Sequence, residues 1–329
     1  MSKSETKVEV KGKFNKKLFL HRLRYKFIGY NVVDGIGSRI VTYVILIAIS
    51  YIFFYPLLKM ASMSLMSPND IINPEVDWIP ENISFANFKA AWYVLEMPKT
   101  LFNSIWYSGT LAIFQTIVSA MTGFAFARYN FKFKNFWFTM VLISFIIPLP
   151  IVIIPRIMLF TSIQSSTGIQ LIGTIIPQLI LALFGQGINS AILILIFYNF
   201  FRMIPRSLDE AAHIDGATAL QVFWHIIIKL SIPTIVTVFL FSFVWNWNET
   251  YVTGTFLRGA IKLLPMQLSA FDNVFSDLAP QIPGQASVHR INEAYKMAAT
   301  LISIIPLLIT YAFAQRQFIE GIENTGIKD

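Results

Sequence analysis

Long apolar runs alternate with short polar stretches along this chain, and their spacing predicts its architecture. Several of the runs approach the ~20 apolar residues that a helix needs to cross a bilayer. The six runs lie at residues 40–60, 105–127, 136–159, 172–200, 235–255 and 298–315. Gly185 and Gly187 interrupt the fourth run, which is therefore either a kinked helix or a re-entrant piece followed by a span. The pattern predicts an all-α membrane protein with six transmembrane helices.

The composition strengthens this prediction. Hydrophobic residues make up 55% of the 329 residues, charged residues only 13%, and the mean hydropathy is +0.60. A soluble domain of this length carries about 25% charged residues. The chain has no cysteine, which excludes disulfides, thiolate metal sites and cysteine nucleophiles.

The basic residues predict the orientation of the spans. Of the 26 Lys and Arg residues, 18 lie in four stretches that share one side of the membrane when the six spans alternate. These stretches are the first 39 residues, the turn 128–134, the stretch 202–230 and the C-terminus. The positive-inside rule places all four in the cytoplasm of a multi-pass protein of the cell (inner or cytoplasmic) membrane. The net charge of +8 thus indicates cytoplasmic retention, and no nucleic-acid partner is predicted.

The same patterns divide the chain into three parts. Residues 1–38 form a basic cytoplasmic tail, residues 39–316 the six-helix transmembrane domain, and residues 317–329 a cytoplasmic C-terminal tail. In the N-terminal tail, Phe19, Leu20, Leu23 and Phe27 lie among the charges. The tail is therefore either a solvated arm that sets topology or a helix lying on anionic membrane lipid.

The polar stretch between the fourth and fifth runs predicts two short helices joined by a turn. Ser207 is followed three residues later by Glu210, and Thr218 by Gln221, so each pair forms a possible capping box at a helix start. Gly216 lies between them and can take the left-handed conformation that ends a helix. Glu210, Ala211 and Ala212 then lie on the first helix, where small side chains permit the close approach of another protein.

Small residues recur every four positions in the second run, as Ser119, Gly123 and Ala127, and earlier as Ser104, Ser108 and Ala112. This spacing permits close packing of helices in lipid. Two interpretations remain open, namely packing within the chain and packing against a second membrane subunit.

Candidate catalytic groups are scarce. No phosphate-binding GxxxxGK[ST] loop occurs, and none of the four histidines belongs to an HExxH motif. An intramembrane enzyme would need a nucleophile–base or metal pair, and the runs contain none. Glu249 and Arg156, near the ends of predicted spans, are the nearest cases of intramembrane charges. This scarcity counts against an ion-coupled carrier, which usually keeps such groups at mid-membrane.

Aromatic and amide side chains cluster in the fifth run, at Asn246, Trp247 and Asn248, while Gln115, Gln178 and Gln186 lie in other spans. Aromatic faces and amides suit a carbohydrate, whose CH faces stack on rings and whose hydroxyls need partners. The alternative is an interfacial aromatic belt with an interhelical Asn hydrogen bond. On the first interpretation Asn246, Trp247, Asn248 and Gln115 line a translocation path.

The polar stretch also resembles a known motif. Glu210-Ala211-Ala212, then Gly216, Ile226 and Ile228, resemble the EAA coupling loop of ABC importer permeases, here at residues 202–232. The run from Ile204 to Ala217, with Phe223-Trp224, is similar to the carbohydrate-uptake branch and its maltose-type second permease subunit. Other matching segments are Trp78-Ile79-Pro80, Asn87-Phe88, Phe102-Asn103-Ser104, Phe124-Ala125-Phe126-Ala127-Arg128-Tyr129, Ile147-Pro148 and Gln315-Arg316-Gln317-Phe318. The resemblance covers residues 40–329.

Three features depart from the family pattern. Lys229 stands where the motif normally has proline, which leaves open whether the chain bends before the fifth span. The fourth span is expanded around Gly185-Gln186-Gly187, and the outer loop 256–297 is long.

The resemblance implies a type I ABC importer permease fold with a cytoplasmic helix-turn-helix coupling loop. It implies a non-catalytic subunit that works with a second permease subunit, two ATP-binding subunits and an extracytoplasmic solute-binding protein. ATP and magnesium would then be held by the ATPase, and this chain would bind no cofactor. Glu210, Ala211, Ala212, Asp215 and Gly216 would contact the ATPase or shape the loop that does.

The function so implied is ATP-driven import of oligosaccharides or related sugars. Two alternatives remain. The same machine could import a polyol or glycerol-phosphate, or the chain could be an ion-coupled secondary carrier.

Overall fold

A computed structural model describes residues 36–278 and 293–326, with side chains described as far as Arg316. Most of the predicted N-terminal tail, the centre of the outer loop 256–297 and the side chains of the predicted C-terminal tail lie outside the described residues. The chain divides into two compact units, residues 1–62 and 63–329. All regular secondary structure in the described part is helical.

The described helices are labelled in chain order. They are α1 Ile36–Ser64, α2 Pro68–Ile72, α3 Ala86–Val94, α4 Met97–Arg128, α5 Lys134–Ile146, α6 Leu149–Thr167, α7 Ile176–Leu183, α8 Ser190–Met203, α9 Arg206–Ile214, α10 Ala219–Val222, a π-helix Phe223–Ile227, α11 Ile228–Leu230, α12 Ile232–Asn248, α13 Tyr251–Leu257, α14 Leu264–Ser269, α15 Phe271–Leu278 and α16 Glu293–Gly326.

Four described helices, α1, α4, α6 and α16, are long and apolar enough to cross a membrane. Two further pairs of helices are long and apolar enough when taken together, but each pair is sharply bent. Helix α8 turns by 72° into α9, and the helical segment Ala219–Leu230 turns by 82° into α12. If each bent pair counts as one span, the described residues hold six, which is the predicted number.

The third predicted span is not one helix. The chain breaks at Ile147 and Pro148, between α5 and α6. Proline lacks the N–H that would continue a helix, and the residue before it is biased towards extended backbone. Ile147 accordingly has ψ 122. The prediction of a continuous helix over 136–159 was therefore wrong, and the span is α6, which ends where Gly168 takes φ +73.

The fourth and fifth predicted spans are also divided. Residues 184–189 separate α7 from α8, with positive φ at Gly185 and Asn189, so the fourth run forms two helices. The fifth run breaks after α12, and Glu249 lies between α12 and the new helix α13. Its carboxylate accepts hydrogen bonds from the N–H groups of Tyr251, Val252 and Thr253 at 2.9–3.0 Å. A carboxylate is favoured there because the first N–H groups of a helix have no partner within the helix.

Helix α4 packs lengthwise against α8 and α12. Its small residues make this possible, since a Cβ on Gly123 would lie 2.7 Å from the Cβ of Phe197 and 2.9 Å from the backbone nitrogen of Tyr198. Ser119 and Ala127, one turn to either side, are buried too. Of the two interpretations of this ladder, packing within the chain is the one observed at Gly123.

Candidate functional site

The predicted helix-turn-helix is present as α9 and α10, but α9 starts earlier than expected. Pro205, with φ −59 and ψ 135, occupies the N-cap, and no side chain caps the helix. Ser207 therefore lies inside the first turn, and the predicted capping box between Ser207 and Glu210 was wrong. Pro205 sets the start because its missing N–H is one that a helix start leaves unpaired anyway.

Gly216 ends α9 as predicted. It has φ +85, and the N–H groups of Gly216 and Ala217 donate to the carbonyls of His213 and Ala212 at 3.1 and 2.9 Å. These two bonds form a complete Schellman motif. The second capping box is confirmed, because Thr218 and Gln221 exchange hydrogen bonds between side chain and backbone at the start of α10.

Helix α9 has one face against the spans and one face that is exposed among the described residues. Ala212 is buried and belongs to an apolar cluster with Phe124, Phe197 and Val222. Glu210, Ala211, Asp215 and Gly216 are exposed, and Ile214 is 87% exposed. The structure thus divides the predicted pair of small residues. Ala212 is packed inside the chain, and Ala211 lies on the exposed face.

A buried arginine joins α4 to α9. The Nε of Arg128 lies 3.2 Å from Oδ2 of Asp209, and the two side chains are only 5% and 17% exposed. The Nη2 of Arg128 also donates to the carbonyl of Ile204, just before α9, at 2.9 Å. The end of the α4 span therefore holds both the start and the middle of this helix.

The chain bends before α12 although Lys229 replaces the usual proline. The bend is at Ser231, whose hydroxyl donates to the carbonyl of Ile227 at 2.5 Å. Pro233 follows in the first turn of α12 and cannot donate to the carbonyl of Lys229. Pro233 is thus sufficient to interrupt the helix, and proline at 229 is not needed.

A second group of polar residues lies inside the spans and is centred on Gln115. Its Oε1 accepts hydrogen bonds from Ser242 Oγ and Asn246 Nδ2, both at 2.6 Å. Its Nε2 donates to the carbonyl of Ile188 and to Ser190 Oγ, both at 3.0 Å. One amide thus links α4, α12 and the break before α8. It also donates a hydrogen bond to the carbonyl of Ile188, which lies in the break.

From helix geometry we infer that this polar group lies within the hydrocarbon core. At about 1.5 Å per residue, Gln115, Ser190 and Asn246 each lie about 20 Å from the end of their helix nearest the helix-turn-helix. The hydrocarbon core is about 30 Å thick. Water is scarce at such a depth, so mutual hydrogen bonding is what makes these amides and hydroxyls tolerable there.

Gln115 and Asn246 also line a cavity of about 320 Å³. The cavity lies where the α5–α6 and α7–α8 breaks face each other, and Gln178, Gln186 and Asn189 line it as well. Trp247 and Asn248, the other two predicted path residues, do not reach it. Trp247 is packed in an apolar cluster with Phe243, and Asn248 is exposed.

The cavity also contains a residue that the sequence placed wrongly. Arg156 was expected near the end of a span over 136–159. Because the span is α6, Arg156 lies in its interior, where Nη2 donates to Oε1 of Gln186 at 3.2 Å. The signal available in the sequence was Pro148, which marks the start of α6. Within the described residues, no group of three or more His, Cys, Asp or Glu could hold a metal ion.

Both the polar group around Gln115 and the helix-turn-helix lie in a region that matches a known protein family. A model described as "Binding-protein-dependent transport system inner membrane component" matches residues 115–323. The match spans more than half of the chain, from the central glutamine of the polar group through the helix-turn-helix into α16. The chain belongs to this family.

Curated relatives of this inner membrane component have transport names. The arabinooligosaccharides transport system permease protein of Halalkalibacterium halodurans is 26% identical over 298 residues, which cover 88% of this chain and 98% of the relative. The diacetylchitobiose uptake system permease protein of Streptomyces coelicolor is 26% identical over 275 residues, covering 83% and 91%.

A solved structure shares the fold of this inner membrane component. It is described as a bacterial ABC transporter involved in the import of the acidic polysaccharide alginate. One of its chains matches with a TM-score of 0.70 and 23% identity, over 85% of this chain and 95% of that chain. The type I importer fold is thereby shown. The protein is a non-catalytic membrane subunit, and its family implies a complex with an ATPase and a substrate-binding protein.

Proposed function

We propose that this chain forms one half of the translocation pathway of an ATP-driven saccharide importer. The single observation that carries this proposal is the α9–α10 loop, which presents an exposed face beside a buried anchor to a membrane span. The saccharide cargo is supported by the transport names of relatives that are similar along almost their whole length.

In this proposal the exposed face of α9 docks on the ATPase. Glu210 offers a carboxylate to a basic residue, Ala211 lets the surfaces approach closely, and Gly216 with Asp215 sets the turn. Any displacement of α9 is transmitted to α4, because Arg128 holds both Asp209 and the carbonyl of Ile204. A rigid-body movement of the ATPase then becomes a movement of the spans.

The complex would contain a second, similar permease subunit, two ATP-binding subunits and an extracytoplasmic solute-binding protein. ATP and magnesium would be held by the ATP-binding subunits, and this chain would bind no cofactor. Both termini and the 202–232 loop would lie in the cytoplasm, as the distribution of basic residues favours. Gln115 and Asn246 would contribute to the path at the cavity.

The proposal is tested by purifying the chain together with the proteins encoded beside it and reconstituting them in proteoliposomes. We expect an ATPase to co-purify, and saccharide uptake to require enclosed ATP and the external binding protein. Uptake that survives without ATP but ceases when an ion gradient is collapsed would instead favour a secondary carrier. Absence of any associated ATPase would contradict the proposal.

A further inference from the structure

Arg156 is the only charged residue among the described residues that line the 320 Å³ cavity. It lies in the interior of α6, and its neighbours Ile154 and Met158 are exposed apolar residues of the same helix. A charged side chain at this depth costs several kcal/mol unless it is hydrated or paired, and such residues usually have a function. Arg156 therefore needs a partner.

The described part of the chain supplies few polar partners for the Arg156 guanidinium. It forms one hydrogen bond, to Gln186, and no ion pair with a carboxylate. A guanidinium carries five N–H donors in a planar fork. Most of these donors are thus available to a group that enters the cavity.

Other side chains in the cavity can also donate. The amide groups of Gln186 and Asn189 line it, and no hydrogen bond from either amide nitrogen is formed within the described residues. Among the described residues no aspartate or glutamate lines the cavity, so no carboxylate there neutralises Arg156. Its volume is at the lower end of the ~300–1,000 Å³ range of small-molecule pockets, which suits one or two sugar units.

We propose that this cavity receives the negatively charged group of an acidic saccharide, with Arg156 as its counter-charge. The group is an oxyanion, namely a carboxylate, sulfate or phosphate, whose paired oxygens match the planar fork of a guanidinium. The amides of Gln186 and Asn189 then bind neighbouring hydroxyls or the same oxyanion. This inference rests on the proposed function, since it names the class of saccharide that the importer carries.

The test uses the complete importer with its binding protein in proteoliposomes that enclose ATP. The probe is a mixture of uronate, sulfated and phosphorylated oligosaccharides, offered together with the same mixture after methyl esterification, desulfation and dephosphorylation. Mass spectrometry identifies what is taken up. We expect acidic species to be imported in preference to their neutral counterparts, and R156Q to reduce their import roughly tenfold or more, the effect of losing a charge-assisted hydrogen bond.

Two variants separate a cargo contact from a structural role. R156K keeps the charge and is expected to retain part of the acidic import. K99Q removes one positive charge from an exposed residue that does not line the cavity, and is expected to import like the wild type. Assembly with the second permease subunit and the thermal unfolding temperature are measured for every variant.

The outcomes are distinct. Preference for the neutral mixture, or acidic import by R156Q at the wild-type rate, overturns the inference and leaves the saccharide importer standing. If R156Q and R156K both fail to assemble, Arg156 holds the subunits together and the inference is overturned. If no saccharide is imported with ATP, the proposed function fails and the inference fails with it.

Discussion

Arg128 in α4 and Asp209 in α9 form an ion pair with 3.2 Å between Nε and Oδ2, and both side chains are largely buried. The pair joins a membrane span to the short helix whose exposed face is proposed to contact the ATPase. It is reinforced by the hydrogen bond from Arg128 to the carbonyl of Ile204. Beside the pair, Ala212 of α9 and Phe124 of α4 belong to one apolar cluster, which also joins the two helices.

Removing the charge of Asp209 is expected to loosen this joint. D209N keeps the shape but leaves Arg128 without its counter-charge, and should lower the free energy of unfolding by about 1–3 kcal/mol. It should also reduce the number of molecules imported per ATP hydrolysed. Both are measured on the reconstituted complex, by thermal unfolding and by paired uptake and phosphate-release assays.

The control is the ion pair between Lys262 and Glu96, whose side chains are 44% and 33% exposed. E96Q is expected to cost less than about 1 kcal/mol, because solvent screens exposed pairs. Equal unfolding temperatures for D209N and E96Q would contradict the role given to the buried pair.

Substitutions of Gly216 can distinguish backbone strain from a lost contact with the ATPase. The φ of +85 at Gly216 penalises any side chain, and a Cβ there would meet none of the described residues within 4 Å. G216A should therefore cost about 1–2 kcal/mol through the backbone alone. G216L carries similar backbone strain but adds bulk on the proposed docking face, so it should couple import to hydrolysis less well than G216A while the complex still assembles.

Gly168 supplies the matched control, with φ +73 and equally free space at the end of α6. G168A and G168L should both be destabilised by backbone strain, and the two variants should import the same number of molecules per ATP hydrolysed. Full uptake by G216L would contradict the proposal that this loop contacts the ATPase.

Gly123 is expected to be intolerant of any side chain, for a different reason. A Cβ there would lie 2.7–2.9 Å from Phe197 and the backbone of Tyr198, so α4 and α8 would have to separate. G123A should destabilise the protein by about 1–3 kcal/mol, as overpacking does. Gly109, in the same helix, has nothing within 4 Å of its Cβ, and G109A should be neutral or slightly stabilising. Comparable unfolding temperatures for the two variants would show that α4 and α8 are less closely packed than described.

Gln115 is expected to be energetically coupled to Gly187. A Cβ on Gly187 would lie 2.2 Å from Nε2 of Gln115, so G187A must displace the amide and break its bonds to Ile188 and Ser190. Each buried polar group left without a partner costs about 1–3 kcal/mol in mutational data. G187A should thus be destabilising in the wild type but nearly neutral once Q115A has removed the amide. A double-mutant cycle in thermal unfolding measures this, and additive effects would contradict the contact.

Local features of the sequence were sufficient for local structure. The apolar runs predicted the candidate spans, which number six if each bent pair counts as one. Gly216 predicted the left-handed turn and Thr218 with Gln221 a helix start, because each of these depends on residues at most four positions apart. Prolines decided the local errors. Pro148 divides the third run, and Pro205 moves the start of α9 so that Ser207 cannot cap it. Both follow from the missing N–H of proline, which the sequence displays.

What the sequence by itself determined is thus which segments are helical and where they can cross the membrane. Only the tertiary structure decided which face of each helix lies inside. A span that is apolar on all sides has no amphipathic pattern from which its buried face could be predicted. The sequence offered Gln115 and Asn246 as separate amides, 131 positions apart, and the fold joined them in a hydrogen bond. Ala212 was turned inwards by packing on α4, and Arg156 was brought to a cavity by two helix breaks that face each other. These contacts depend on distant parts of the chain meeting, and no short-range pattern specifies them.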